Sequence, residues 1–146
     1  MYQGALRIKY KKLHRVYLYK HNDRLENKFF CPKFCDLGVQ AFSSGKLTNR
    51  HIETGRRFLR RRLKKSVFIK INMFPYHPFT KKPVSARMGK GKGRVYGWYF
   101  PCKSGRMLYE MKLNILMFLQ LSGIIKKINN ISKKMPIKVK TVRLIY

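Results

Sequence analysis

Apolar residues recur at helical spacing in one stretch of the chain and at strand spacing in several others. Between Thr48 and Lys65, Ile52, Gly55, Leu59 and Leu63 fall on one narrow stripe, while Arg50, Arg56, Arg57, Arg60, Arg61, Arg62, Lys64 and Lys65 occupy the rest of the surface. Thr48 is placed to cap this helix, with Glu53 near its positive end and the cationic run at its negative end. Gly55, on the apolar stripe, lets another segment approach closely at some cost in helix propensity. A second helix is expected from an Asn114 cap to about Asn129, with Leu116, Leu119, Gly123 and Ile128 toward the core.

Strand-like content runs from Phe29 to Phe42, followed by a turn at Ser43, Ser44 and Gly45. From Val67 to Phe74, Ile69, Ile71 and Met73 alternate with Lys70 and Asn72, as in a half-buried strand, and Pro75, Pro78 and Pro83 then exclude regular structure. Val95 to Phe100 reads as a strand, Lys103-Ser104-Gly105-Arg106 as a turn, and Met107 to Leu113 as the returning arm of a hairpin. After Pro136, alternation from Ile137 to Ile145 predicts a closing strand whose lysines suit a sheet edge. Residues 1 to 28 lack sustained periodicity and read as an extended arm, leaving 29 to 146 as one domain. Tyrosines interleave with cations in that arm; they suit either base stacking or the covering of a small core.

Charge changes the picture. Among 146 residues, 35 Lys plus Arg face 5 Asp plus Glu, a formal net charge of +30, yet 45% hydrophobic residues argue against a disordered tail. Self-repulsion at this density calls for a polyanionic partner, and cations spread through every third of the chain suit nucleic acid. The basic face of the first helix reads the same way, because it has almost no acids to relieve repulsion between neighbouring turns. The scarcity of carboxylates disfavours hydrolases and two-metal nucleases, which need them clustered. Asp23 and Glu26 are close together but lie in a polar, turn-like stretch.

An odd cysteine count, Cys31, Cys35 and Cys102, suits a reducing compartment. Cys31 and Cys35 have metal-ligand spacing, but no second pair accompanies them, so buried thiols are the expectation and no metal or cofactor is implied. The longest apolar stretch, Ile115 to Ile125, is interrupted by Gln120, Ser122 and Gly123 and falls short of the roughly 20 residues that span a bilayer.

The most unusual segment is Arg87-Met88-Gly89-Lys90-Gly91-Lys92-Gly93. Alternating glycines open backbone conformations closed to other residues and set N–H groups beside ammonium groups. It matches neither a Walker loop nor a dinucleotide fingerprint.

Taken with Trp98 beyond it, Gly45-Lys46-Leu47-Thr48, Phe74-Pro75, Leu108-Tyr109-Glu110-Met111 and Met135-Pro136-Ile137-Lys138, this segment resembles the bacterial-type large-subunit ribosomal protein sixteen family over nearly the whole chain. Lys70, Asn72 and Tyr76 depart from the family pattern, as does an Ile-, Leu-, Asn- and Lys-rich second helix. The resemblance implies an α+β fold: an antiparallel sheet with two α-helices, an extended basic N-terminal arm and a protruding Gly/Lys loop. It implies binding to large-subunit rRNA through Arg7, Lys9, Lys12, Arg15, Arg50, Arg56, Arg57, Arg60, Arg61, Lys64, Lys65 and Lys82, with a role in translation and late subunit assembly. The loop residues Arg87, Met88, Gly89, Lys90, Gly91, Lys92 and Gly93 would face tRNA in the A and P sites near the peptidyl transferase centre.

Neighbouring large-subunit proteins are implied partners; a membrane, a homo-oligomer and enzymatic activity are not. The basic amino terminus matches the family's own arm rather than a transit peptide, and abundant Lys, Ile, Asn, Phe and Tyr suggest A+T-rich coding in a mitochondrion. A bacterial cytoplasm or plastid is the alternative. Two rival functions remain: an RNA-processing enzyme using His51, His77 or a cysteine, and a free-standing cationic membrane-binding protein.

Overall fold

The computed structural model describes residues 12–14, 32, 35–63, 67–89, 91–114 and 121–143. Seven strands and two α-helices occur among them: β1 (Leu37–Ala41), β2 (Gly45–Thr48), α1 (Asn49–Leu63), β3 (Phe68–Ile71), β4 (His77–Lys81), β5 (Arg94–Cys102), β6 (Met107–Lys112), α2 (Leu121–Asn129) and β7 (Val139–Arg143), with a short 3-10 helix, Asn130–Lys134, directly after α2. The fold is α+β, and every strand pair is antiparallel. The strands form two sheets rather than one, a four-stranded sheet in the order β3-β6-β1-β7 and a three-stranded sheet in the order β2-β5-β4.

The stripe on α1 buries the four residues its spacing selects, Ile52, Gly55, Leu59 and Leu63. Leu59 and Leu63 are fully enclosed together with Leu37 and Val39 of β1 and Leu108, Tyr109 and Met111 of β6. From the other end of the chain Ile128, Ile131 and Ile137 close the same core. Shortening a leucine in such a site costs about 2–5 kcal/mol, so this stripe fixes which way the arginines of α1 face.

One expectation fails because alternation tells which face a residue takes but not which strand it pairs with. β5 and β6 are not a hairpin. β5 pairs with β2 and β4, whereas β6 pairs with β1 and β3. The turn between them carries the chain from one sheet to the other, held by Gly105 N–H donating to Ala41 O at 2.8 Å and Ala41 N–H to Arg106 O at 2.9 Å. Gly105 has φ of +84°, which a side chain would oppose. Gln40, buried in β1, donates to Gly105 O at 2.7 Å and locks the same crossing.

Pro78 does not exclude a strand either, because β4 lies at the edge of its sheet, where a missing N–H need not break the ladder. The half-buried strand after Val67 is confined to Phe68–Ile71. Gly123 is exposed on α2, with open space around it, rather than facing the core; Ile124 and Ile128 make that contact. Leu116, Leu119 and the remainder of the segment that Asn114 would cap lie outside the described residues. The closing strand is present as β7 on the sheet edge beside β1, with Lys138 and Lys140 exposed.

Candidate nucleic-acid interface

The outward face of α1 is cationic because its inward stripe is only four residues wide. Arg50, Arg57, Arg60, Arg61 and Arg62 are exposed, and Arg60, Arg61 and Arg62 fall in the last turn, where the helix dipole favours positive charge. The start of α1 is capped from inside: Thr48 N–H donates to His51 Nδ1 at 3.3 Å, which gives His51 a structural task.

Glu53 is the one acid on this helix, and it relieves repulsion more than the sequence suggests. Its carboxylate accepts from Arg56 Nη2 at 2.7 Å and Arg56 Nε at 2.9 Å, and from Arg57 Nε at 3.0 Å. The Arg56 hydrogen bonds, reinforced by Arg57, hold the Glu53 carboxyl down at about 2. Arg56 and Arg57 are therefore partly neutralised, whereas Arg50 and Arg61 have no ion pair among the described residues. Arg60 Nη1 donates to Val67 O at 2.9 Å and ties the chain beyond the helix back onto it. Lys64 and Lys65 lie outside the described residues.

The Gly/Lys segment lies in the loop between β4 and β5. Gly89 and Gly91 adopt φ of +93° and +81° in open space. Gly93 is needed for a different reason, since a Cβ there would stand 2.7 Å from Lys81 O at the foot of the loop. Arg87 and Met88 are exposed, whereas half-buried Lys82 donates to Gly89 O across the loop. Lys92 and Lys12 clasp each other's segments: Lys92 Nζ donates to Leu13 O at 2.6 Å and Lys12 Nζ to Lys92 O at 3.0 Å. His77 Nε2 and His14 O, 2.9 Å apart, hold the same stretch of arm against β4. Arg7, Lys9, Arg15 and Lys90 lie outside the described residues.

Sequence reasoning missed an aromatic row on the β2-β5-β4 sheet, in which His77 and Tyr99 are buried and Tyr96 is exposed. His77 stands edge-on to Tyr99 at 4.9 Å between centroids, Tyr99 neighbours Phe79 at 6.3 Å, and Phe79 neighbours Tyr96 at 5.6 Å. Lys46 Nζ lies 5.3 Å from the Tyr99 ring centroid, within the row, and Lys81 Nζ 5.4 Å from that of Tyr96, at its end. Phe79 lies across β5 because Gly97 opposite has no side chain; a Cβ there would meet the ring at 2.8 Å. The strand from Val95 to Phe100 was visible in the sequence, but not its pairing with β4.

The described acids are all engaged in structure. Asp36 accepts from Leu113 N–H at 3.0 Å and buried Glu110 accepts from Asn72 Nδ2 at 2.5 Å. Cys35 and Cys102 are buried, and burial, with Glu110 next, pushes the Cys35 thiol up. Among the described residues no group of three or more His, Cys, Asp or Glu could hold a metal, and no helix is long and apolar enough to cross a membrane.

A cationic helix face, a glycine-lysine loop and an aromatic row with two lysines over its rings stand on one small α+β body. The chain belongs to the ribosomal protein L16p/L10e family, whose model matches residues 6–142, and is a structural ribosomal protein, not an enzyme. Curated relatives include the large ribosomal subunit protein uL16 of Xanthomonas campestris pv. campestris (strain B100) and that of Xanthomonas oryzae pv. oryzae (strain PXO99A). Each is 41% identical over 106 residues, which span 73% of this chain and 74% of the relative.

Proposed function

We infer that this chain is a constituent of the large ribosomal subunit that binds large-subunit rRNA, contacts tRNA near the peptidyl transferase centre and helps order that region late in assembly. The observation that carries the reading is the exposed arginine face of α1, on which Glu53 is the only carboxylate. The arm, residues 1–28, and the domain, 29–146, share the rRNA, with the loop Arg87–Gly93 directed toward tRNA in the A and P sites. Neighbouring large-subunit proteins complete its surroundings. The A+T-type composition supports a mitochondrial ribosome, with a bacterial or plastid ribosome as the runner-up; curated relatives named above are bacterial.

If each of several Lys and Arg residues neutralises a phosphate, affinity for isolated rRNA falls with salt, with a log-log slope of about 0.7–0.9 per contact. Filter binding of a large-subunit rRNA fragment across a salt series tests this, and a nearly flat response overturns it. For the loop, replacing Lys90 and Lys92 with Ala in assembled ribosomes should impair tRNA accommodation more than folding; normal tRNA binding by those ribosomes counts against the assignment.

A further inference from the structure

The aromatic row on the β2-β5-β4 sheet ends at Tyr96, which is 69% exposed. Phe79 packs against it at 5.6 Å between centroids. The register of β4 against β5 shifts between Phe79 and Thr80, so Tyr96 sits at a bulge, an irregularity that re-aims a side chain. Tyr96 lines two clefts. One, of about 680 Å³, is lined by Asn49, Arg50 and His51 at the start of α1 and by Phe79 and Trp98. The other, of about 400 Å³, is lined by Lys81, Lys82, Pro83, Val84 and Arg94. Neither contains a carboxylate.

An exposed ring lining two cation-rimmed clefts has the layout of a single-stranded nucleic-acid site, in which a base stacks on the aromatic and its neighbouring phosphates meet the cations. We propose that Tyr96, backed by Phe79, is a stacking platform for an unpaired RNA base, with the flanking phosphates on Arg50 in the first cleft and Arg94 in the second. Lys81 Nζ stands over the Tyr96 ring, 5.4 Å from its centroid, and on its flexible stem it yields the ring face to a base while keeping its charge at the site. A duplex fits poorly, since its bases are already stacked. This inference rests on the rRNA-binding reading above and names a residue and a class of RNA structure for it.

Trp98 is the single tryptophan of the chain and lines the first cleft, so its emission reports on the site. The full chain is titrated with a single-stranded RNA hexamer and with a hexamer of the same backbone lacking bases. The base-bearing strand should quench Trp98 and bind more tightly, Tyr96→Ala should weaken it by about fivefold or more, and Tyr96→Phe should leave it unchanged. Neither variant should alter binding of the abasic strand, and circular dichroism should show both folded, as expected for an exposed position. Equal affinity of the parent and Tyr96→Ala for the base-bearing strand overturns the platform. If a large-subunit rRNA fragment still binds with steep salt dependence in that case, the rRNA reading stands without it. Salt-insensitive binding of every RNA by the parent overturns both.

Discussion

Gly55→Ala is expected to destabilise this protein although alanine is the better helix former. A methyl on Gly55 would lie 2.4 Å from Tyr109 Oη, 3.0 Å from Met135 Cε and 3.1 Å from Tyr109 Cζ. Met135 can swing aside, but Tyr109 cannot: it is fully buried, and its hydroxyl donates to Ile52 O at 2.8 Å. Helix propensity returns about 1 kcal/mol. Against that, stranding the phenol hydroxyl costs about 1–3 kcal/mol, and overpacking adds about 1–3 kcal/mol. The net is a loss of roughly 1–5 kcal/mol, with the Tm falling by about 2–4 °C for each kcal/mol.

Thermal unfolding of Gly55→Ala, Tyr109→Phe and the double variant isolates the cause. Because Tyr109→Phe removes the atom nearest the new methyl, the cost of Gly55→Ala should shrink by about 1 kcal/mol or more in the Phe background. A Gly55→Ala protein as stable as its parent, or costs that simply add, would refute the close approach of α1 to β6.

The other tests probe surface and charge. Gly123→Ala, in open space on exposed α2, should stabilise by about 0.8–1.0 kcal/mol in the same assay, the opposite sign to Gly55→Ala. Glu53→Gln should cost about 0.5–1 kcal/mol at neutral pH, since arginine partners 41% and 61% exposed leave the pairs screened by solvent. Glu53 titrates lower in the folded chain, from 4.5 to about 2, so its contribution is complete above the unfolded value and disappears as pH falls toward 2. Acid titration of stability in parent and variant checks the window. In filter binding, the same variant frees Arg56 and Arg57 and should bind rRNA with a log-log salt slope steeper by up to about 0.7–0.9 per added contact.

What could be read from the sequence depended on whether the signal was local. The α1 stripe and the purpose of Gly55 were legible because helical spacing places i, i+3, i+4 and i+7 on one face whatever packs there. That Tyr109 is the approaching group was not, since β6 is far along the chain. β7 was legible from its alternation, whereas the assignment of β5 and β6 to different sheets was not, because turn residues do not record which strands lie alongside. In the candidate interface, residue type located the basic helix and the loop. The Lys82 bond to Gly89 and the Lys12–Lys92 clasp depend on which carbonyls folding brings near. Tyr96 escaped notice because its exposure follows from a bulge in strand register.

Sedimentation tests the central claim most directly. The chain, added to or expressed among large ribosomal subunits lacking it, should travel with the subunit through a gradient and remain after a salt wash that strips adventitious cations, because many phosphate contacts must then be lost together. Recovery at the top of the gradient, with undiminished binding to anionic vesicles free of RNA, would contradict the account.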